Sequence, residues 1–231
     1  MVKIQTGCKC IDRNIEGGIF PETVTLIYGE PETGKTTLAM QCAVNCALQN
    51  HKVLFVDCDN TFYTKRLSQI SKDRFDEIAE RIILLKPKDF REQTIVIDHI
   101  QEYASKNVGL IIIDTFTSLY GAKVSETSDK AFTVNRELNR QLAILAQTAK
   151  IRKIPVIITS QVRSVFNEQS TSVRPVANRV LKFWGDIIIA MKPTNYPKTI
   201  KVVLEKAREL EQEVTCYVQI GEAGIQDTQF H

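Results

Sequence analysis

The stretch Val24-Thr25-Leu26-Ile27-Tyr28-Gly29-Glu30-Pro31-Glu32-Thr33-Gly34-Lys35-Thr36-Thr37-Leu38 decides how the rest of the chain is read. Its first five residues are apolar or β-branched almost without a break, the pattern of a strand covered on both faces. Gly29 to Thr36 then match G-x-x-x-x-G-K-[ST]. Beyond them Leu38, Ala39, Cys42, Ala43, Cys46 and Ala47 recur at three- and four-residue spacing, an apolar stripe on a helix that starts near Lys35. Strand, glycine loop and helix in that order form a phosphate cradle: successive backbone N–H groups and the helix dipole converge on an anion. On this reading Gly29, Glu30, Pro31, Glu32, Thr33 and Gly34 form the loop. Lys35 bridges the β- and γ-phosphates of ATP, the Thr36 hydroxyl takes one position on Mg²⁺, and Thr37 extends the first helical turn.

Outward from this unit the same rhythm continues. Val53 to Val56, Ile82 to Leu85, Leu110 to Ile113 and Val156 to Thr159 are further short, β-branched-rich runs. Between them lie helical patterns, one at Val134, Leu138, Leu142, Leu145 and Ala149 and a shorter one at Ile97, Ile100 and Ala104. Strands alternating with helices imply right-handed crossovers and a mainly parallel sheet flanked by helices. Asp186 to Met191, Thr199 to Leu204 and Val214 to Ile220 are joined by turns too short for crossover helices, so antiparallel edge strands are expected at the C-terminal end. No repeat, low-complexity tract or flexible linker divides the chain, and residues 1–231 read as one α/β domain.

Composition is compatible with that fold. A chain of 231 residues with 43% hydrophobic and 25% charged residues can bury a core without metal or disulfide staples. Thirty Lys and Arg against 27 Asp and Glu leave a net charge of +3, so a basic surface must come from local clustering. No apolar run approaches the roughly 18 residues that span a bilayer, which excludes a helical membrane protein. Met1 to Gly7 lacks the apolar core of a secretory leader. A cytoplasmic location is therefore expected, with all six cysteines as reduced thiols. The three histidines, His51, His99 and His231, stand apart from the Cys pairs, so no zinc spacing exists.

Three further positions suit chemistry on a bound triphosphate. Leu110 to Ile113 deliver Asp114 at a strand end, where a carboxylate can hold Mg²⁺ through its waters. Asp57 and Asp59 stand two residues apart at another strand end, and Asp59 reaches further into the mouth as a candidate group to orient water. Ser160-Gln161 ends a third strand, placing an uncharged amide within reach of a γ-phosphate.

Taken together these segments resemble the RecA-type recombinases. Thr6-Gly7 and Gly17-Gly18 before the first strand, the P-loop, Val56 to Phe62, Ile113-Asp114-Thr115 and Thr159 to Arg163 fall in the family's order over almost the entire chain. The resemblance implies an ATP-binding protein of homologous recombination and DNA repair. In it Gln161 senses the γ-phosphate, Arg66 stacks on adenine, and Asp59 stands where the family has a catalytic glutamate. The shorter aspartate implies slow hydrolysis. Glu32 replaces a small residue and adds negative charge beside the phosphates. Only 28 residues precede Gly29, so an ATPase core without an additional N-terminal DNA-binding domain is expected. No Phe-x-x-Ala polymerisation motif precedes that core, which argues against strand exchange in a filament and leaves a homodimer open.

The resemblance also implies DNA, single-stranded or branched, as a partner, and the recombinase RadA and a Holliday-junction resolvase as protein partners. The polar, net basic segment 163–175 reads as a loop whose Arg163 and Arg174, with Arg179 beyond it, meet phosphates while Phe166 stacks on bases. Residues 120–130 read as a second loop of mixed charge. Ala177-Asn178-Arg179 replace the family's Gly-Gly-His. A KaiC-like regulatory ATP switch that binds protein partners would share the P-loop and Asp114, but it has no need of a basic segment beside Gln161.

Overall fold

The computed structural model describes residues 3–104, 106–126, 131–167, 170–175 and 177–228, with the backbone alone for 163–167, 170–175 and 178. A short N-terminal helix α1 (Lys9–Asn14) precedes strand β1 (Val24–Gly29) and the helix α2 (Lys35–Leu48) that follows the glycine loop. Then come β2 (Lys52–Asp57), α3 (Thr64–Ser71), α4 (Phe75–Ala79), β3 (Ile82–Leu85), α5 (Phe90–Asp98), α6 (Ile100–Tyr103), β4 (Val108–Asp114), α7 (Ser118–Glu126) and α8 (Ala131–Arg152). The C-terminal part holds β5 (Val156–Asn167), β6 (Ser170–Pro175), α9 (Asn178–Trp184), β7 (Ile187–Pro193), β8 (Thr199–Lys206), β9 (Val214–Gly221) and β10 (Gly224–Asp227).

The main sheet runs β10-β9-β8-β7-β1-β5-β4-β2-β3, with β6 pairing only with β5. β3, β2, β4, β5, β1 and β7 are parallel, and β8, β9 and β10 add on antiparallel. This is the expected doubly covered sheet with an antiparallel edge. Side-chain alternation along the buried strands explains the unbroken apolar runs. Leu110 and Ile112 of β4 join the core with α1 and α2, whereas Ile111 and Ile113 join the core with α5 and α8. Ile157 and its neighbours Val156 and Ile158 on β5 divide the same way. Each such side chain, fully withdrawn from water, stabilises the fold by about 1.5–3 kcal/mol.

Four expectations are corrected. Residues 163–167 and 170–175 are not a loop: β5 continues past Gln161 and pairs antiparallel with β6, from Val162 opposite Pro175 to Asn167 opposite Ser170. Residues 120–126 belong to helix α7, and 127–130 lie outside the described residues. The stripe Ile97, Ile100 and Ala104 is split between α5 and α6 at His99, which caps the first helix and precedes the second. Finally, the cysteines are not all thiols. Cys10 and Cys216 form a disulfide between α1 and β9 across 206 residues of sequence, while Cys8, Cys42, Cys46 and Cys58 are free and buried. Among the described residues no helix is long and apolar enough to cross a membrane.

Candidate functional site

β1 lies in the middle of the sheet, between β5 and β7, so the chain leaves it at the sheet's centre. Gly29 is paired with Gln161 of β5 on one side and Met191 of β7 on the other. A Cβ at Gly29 would lie 2.1 Å from the Met191 carbonyl oxygen, which requires glycine there. The loop closes through Thr33, buried, whose hydroxyl donates to the Glu30 carbonyl at 2.8 Å. Gly34 sits at φ 88° as the residue before α2, with no side-chain cap and no acidic residue in the first turn. The leading N–H groups of α2 therefore face the loop without a competing carboxylate, which is what an anion needs.

Lys35 is 8% exposed, and its Nζ donates to the Glu30 carbonyl at 2.7 Å. Burial lowers its pKa, while Asp114, Asp59 and Glu30 pull it back up, so three acidic groups surround this ammonium. A cleft of about 330 Å³ opens here, lined by Glu32, Gly34, Lys35, Thr36, Thr37, Arg66 and Ile220. Pro31 and Glu32 are exposed at the loop's crest. Glu32 has φ 64°, the left-handed region in which a side chain costs about 1–2 kcal/mol relative to glycine.

Asp114 ends β4 and is completely buried. The Thr159 hydroxyl donates to its Oδ1, while Oδ2 has no partner among the described residues. Burial raises its pKa to about 6, with some help from Asp59 and Asp57, against the lowering effect of the neighbouring Thr159 and Thr36 hydroxyls. An unpartnered buried carboxylate oxygen beside the Thr36 hydroxyl fits an oxygen-preferring cation such as Mg²⁺. No group of three or more His, Cys, Asp or Glu side chains forms a metal cluster among the described residues. Thr36 and Asp114 would thus hold Mg²⁺ with the nucleotide's own oxygens and water, and the ion would supply charge neutralisation at the β- and γ-phosphates.

Asp57 and Asp59 have separate tasks. Asp57 is buried and accepts from the Thr61 and Phe62 backbone N–H groups at 2.9 and 3.1 Å, with Lys86 at 3.4 Å. Its oxygens are taken up in shaping the chain after β2. Asp59 lies beyond the strand, partly exposed, and among the described residues accepts from the Thr61 hydroxyl alone, at 2.8 Å. It is the freer of the two carboxylates and the one whose charge acts on Lys35. Gln161 is exposed, beside Gly29 in the sheet. Arg66 on α3 lines the same cleft and donates to the Gly221 and Glu222 carbonyls, both at 2.9 Å.

Of the residues expected at DNA, Arg179 is exposed on α9. The side chains of Arg163, Phe166 and Arg174 lie outside the described residues, although the backbone register sets Arg163 opposite Arg174.

Two features were not read from the sequence. The β9–β10 hairpin is pinned over the P-loop: Gln41 of α2 donates to the Ile225 carbonyl at 3.0 Å and accepts from its N–H at 2.7 Å, while Ile220 packs close to Gly34. Tyr28, just before the loop, donates to Glu205 at 2.5 Å, and Lys182 of α9 pairs with the same carboxylate at 2.5 Å. Burial and Glu205 together push the Tyr28 hydroxyl pKa well up. The Gly221-Glu222-Ala223-Gly224 turn was a local signal for the hairpin, but its docking partner Gln41 stands 184 positions before Ile225 and leaves none.

A central strand running into a glycine loop and helix, with a buried aspartate two strands away and a glutamine on the strand between, defines a P-loop protein of the RecA type. The family model described as Rad51 matches residues 1–228, and the chain belongs to that family. It is similar to proteins described as DNA repair and recombination protein RadB. The one from Thermococcus onnurineus is 33% identical over 97% of both chains, and the one from Archaeoglobus fulgidus is 34% identical over 96% of this chain and 97% of its own. A solved structure titled as that of the RadB recombinase superposes with a TM-score of 0.80 at 31% identity, covering 98% of this chain and all of the other.

Proposed function

We propose that this protein binds Mg²⁺-ATP in the P-loop cleft, binds DNA through the β5–β6 hairpin and α9, and serves as an accessory factor in homologous recombination and repair. The observation that carries this reading is the path of β5. One strand holds Gln161 beside Gly29 and then extends directly into the hairpin that bears Arg163, Phe166 and Arg174. A change at the γ-phosphate thus has a continuous backbone route to a basic hairpin.

In this reading Lys35 moves from the Glu30 carbonyl to the phosphates, Gln161 contacts the γ-phosphate, Asp59 orients the attacking water, and Arg66 lies along the base. Asp59 is one methylene shorter than a glutamate and loses about 1.5 Å of reach, so turnover is slow, because water activation needs a contact of about 2.6–3.2 Å. The protein carries out little or no strand exchange of its own. RadA and a Holliday-junction resolvase are its protein partners, and two copies form a homodimer; the family resemblance supports these partners.

The test is fluorescence anisotropy with labelled DNA at several salt concentrations. Replacing Arg163, Arg174 and Arg179 together by Ala should reduce the slope of log affinity against log salt by about 2, since each lost phosphate contact removes about 0.7–0.9. An unchanged slope would show that DNA is not gripped there.

A further inference from the structure

Helices α5 and α8, which contribute Phe90, Ile97, Leu138 and Leu142 to the core, also bury two amide side chains that the nucleotide cleft does not use. Gln93 of α5 and Gln141 of α8 are both fully withdrawn from water. Gln93 Nε2 donates to the Gln141 side-chain oxygen at 2.9 Å, and Gln141 Nε2 donates to the Thr94 hydroxyl at 2.8 Å. That hydroxyl is itself fixed, donating to the Phe90 carbonyl at 2.9 Å. Gln93 Nε2 has a second acceptor, the Phe116 carbonyl at 3.2 Å. Its Oε1 has no partner among the described residues. Burying an acceptor unpaired costs stability, and an apolar side chain of the same length would avoid that cost. What the amide supplies and an apolar side chain could not is the donor to Phe116.

Phe116 stands two residues past Asp114, where the chain leaves β4. Its N–H donates to the Thr159 carbonyl at 3.0 Å, and the Thr159 hydroxyl donates to Asp114 Oδ1. The next residue reaches toward Gln161: the Thr117 and Ser160 hydroxyls are 3.0 Å apart, and the Ser160 hydroxyl donates to the Gln161 carbonyl at 3.0 Å. A hydrogen-bonded path therefore runs from α8 through Gln141, Gln93, Phe116 and Thr159 to the carboxylate placed beside the cation.

We propose that Gln93, braced by Gln141, is a positioning residue for Asp114: it fixes the Phe116 carbonyl, and through it the backbone that presents Asp114 to Mg²⁺. This rests on the Mg²⁺-ATP reading above and adds to it two residues that touch neither nucleotide nor metal. Hydrogen bonds that orient a metal's ligands change its affinity by about 10- to 100-fold when they are removed. Lys35 and the loop N–H groups lie outside this path, so the pair acts on the metal and leaves the phosphate cradle as it is.

The test titrates the full chain with a fluorescent, non-hydrolysable ATP analogue in EDTA and at rising Mg²⁺. In EDTA, Gln93→Met should bind the analogue as wild type does. It should require roughly 10- to 100-fold more Mg²⁺ to reach its tight-binding state. Gln141→Met, which keeps the donor to Phe116 and removes its brace, should shift the same way by less. With neither nucleotide nor metal present, amide hydrogen exchange should quicken at Phe116 in both variants and stay unchanged at Leu26 and Ile27 of β1. Variants that respond at the wild-type Mg²⁺ concentration overturn the proposal. So does an equal loss of affinity with and without Mg²⁺, or exchange that quickens in β1 as well, since either marks a purely structural pair. If wild-type affinity is indifferent to Mg²⁺, the Mg²⁺-ATP reading itself fails and the proposal falls with it.

Discussion

Burial makes Asp114 costly to the folded protein at neutral pH. Its folded pKa of about 6 lies above the value of 3.8 for a free aspartate, so the folded state holds the proton more tightly than the unfolded state. Stability from this group is present below pH 4 and declines as pH rises from about 4 to 6. By pH 7 the loss amounts to about 3 kcal/mol. Metal-free Asp114→Asn should therefore be more stable than wild type at pH 7, and the difference should vanish near pH 4, as read by urea denaturation. Equal wild-type and variant stability at pH 7 would remove the argument for a carboxylate awaiting a cation.

Asp59 offers a second residue-scale test. Asp59→Glu should raise the steady-state rate of ATP hydrolysis at least about tenfold, a part of the roughly 10²- to 10⁴-fold that a well-positioned acid–base group contributes. A rate unchanged by the longer side chain would mean that water is oriented by another group. The positions of Asp59 and Asp114 were legible in the sequence because each follows an apolar run, Asp114 as the last residue of β4 and Asp59 two residues beyond the end of β2. The division of labour between Asp57 and Asp59 is set by the Thr61 and Phe62 N–H groups, and hydrogen-bond partners of that kind follow from a turn's conformation.

Among the elements, the parallel strands and α2 were readable because double burial writes continuous apolar runs and a regular stripe. The β5–β6 hairpin was not. Its residues Ser164, Asn167, Ser170, Thr171 and Ser172 are polar, so neither face shows the alternation that marks a half-buried strand. The Cys10–Cys216 disulfide was equally hidden, since its partners meet only after α1 docks on β9. Asp227 assists that docking by accepting from the Lys9 and Cys10 backbone N–H groups, both at 2.9 Å. Both cysteines are partly exposed, so reductant can reach them. A closed loop of this length contributes about 5 kcal/mol or less in the chain-entropy account. Guanidinium melts with and without dithiothreitol should show the reduced protein less stable, with weaker ATP binding because β9 carries Ile220 against Gly34. Superimposable melts would show that the bond does not constrain the fold.

On the scale of the whole molecule, the sheet order is what joins the two proposed activities. β1 ends in the phosphate loop, β5 lies against it, and β5 alone leaves the main sheet to form the hairpin with β6. The Tyr28–Glu205–Lys182 contacts tie α9 to the same strand just before the loop. These connections could not be read from spacing, because Glu205 and Tyr28 are separated by 177 positions. They give the molecule two physical links between the P-loop and the proposed DNA-binding hairpin and α9, one through backbone and one through side chains.

The most direct measurement is the affinity for single-stranded DNA with and without a non-hydrolysable ATP analogue and Mg²⁺, in wild type and in Gln161→Ala. Wild type should bind DNA with distinctly different affinities in the two nucleotide states, and Gln161→Ala should still bind the analogue but show one DNA affinity in both. DNA binding that ignores the analogue in wild type, or that responds to it equally in Gln161→Ala, would contradict the account.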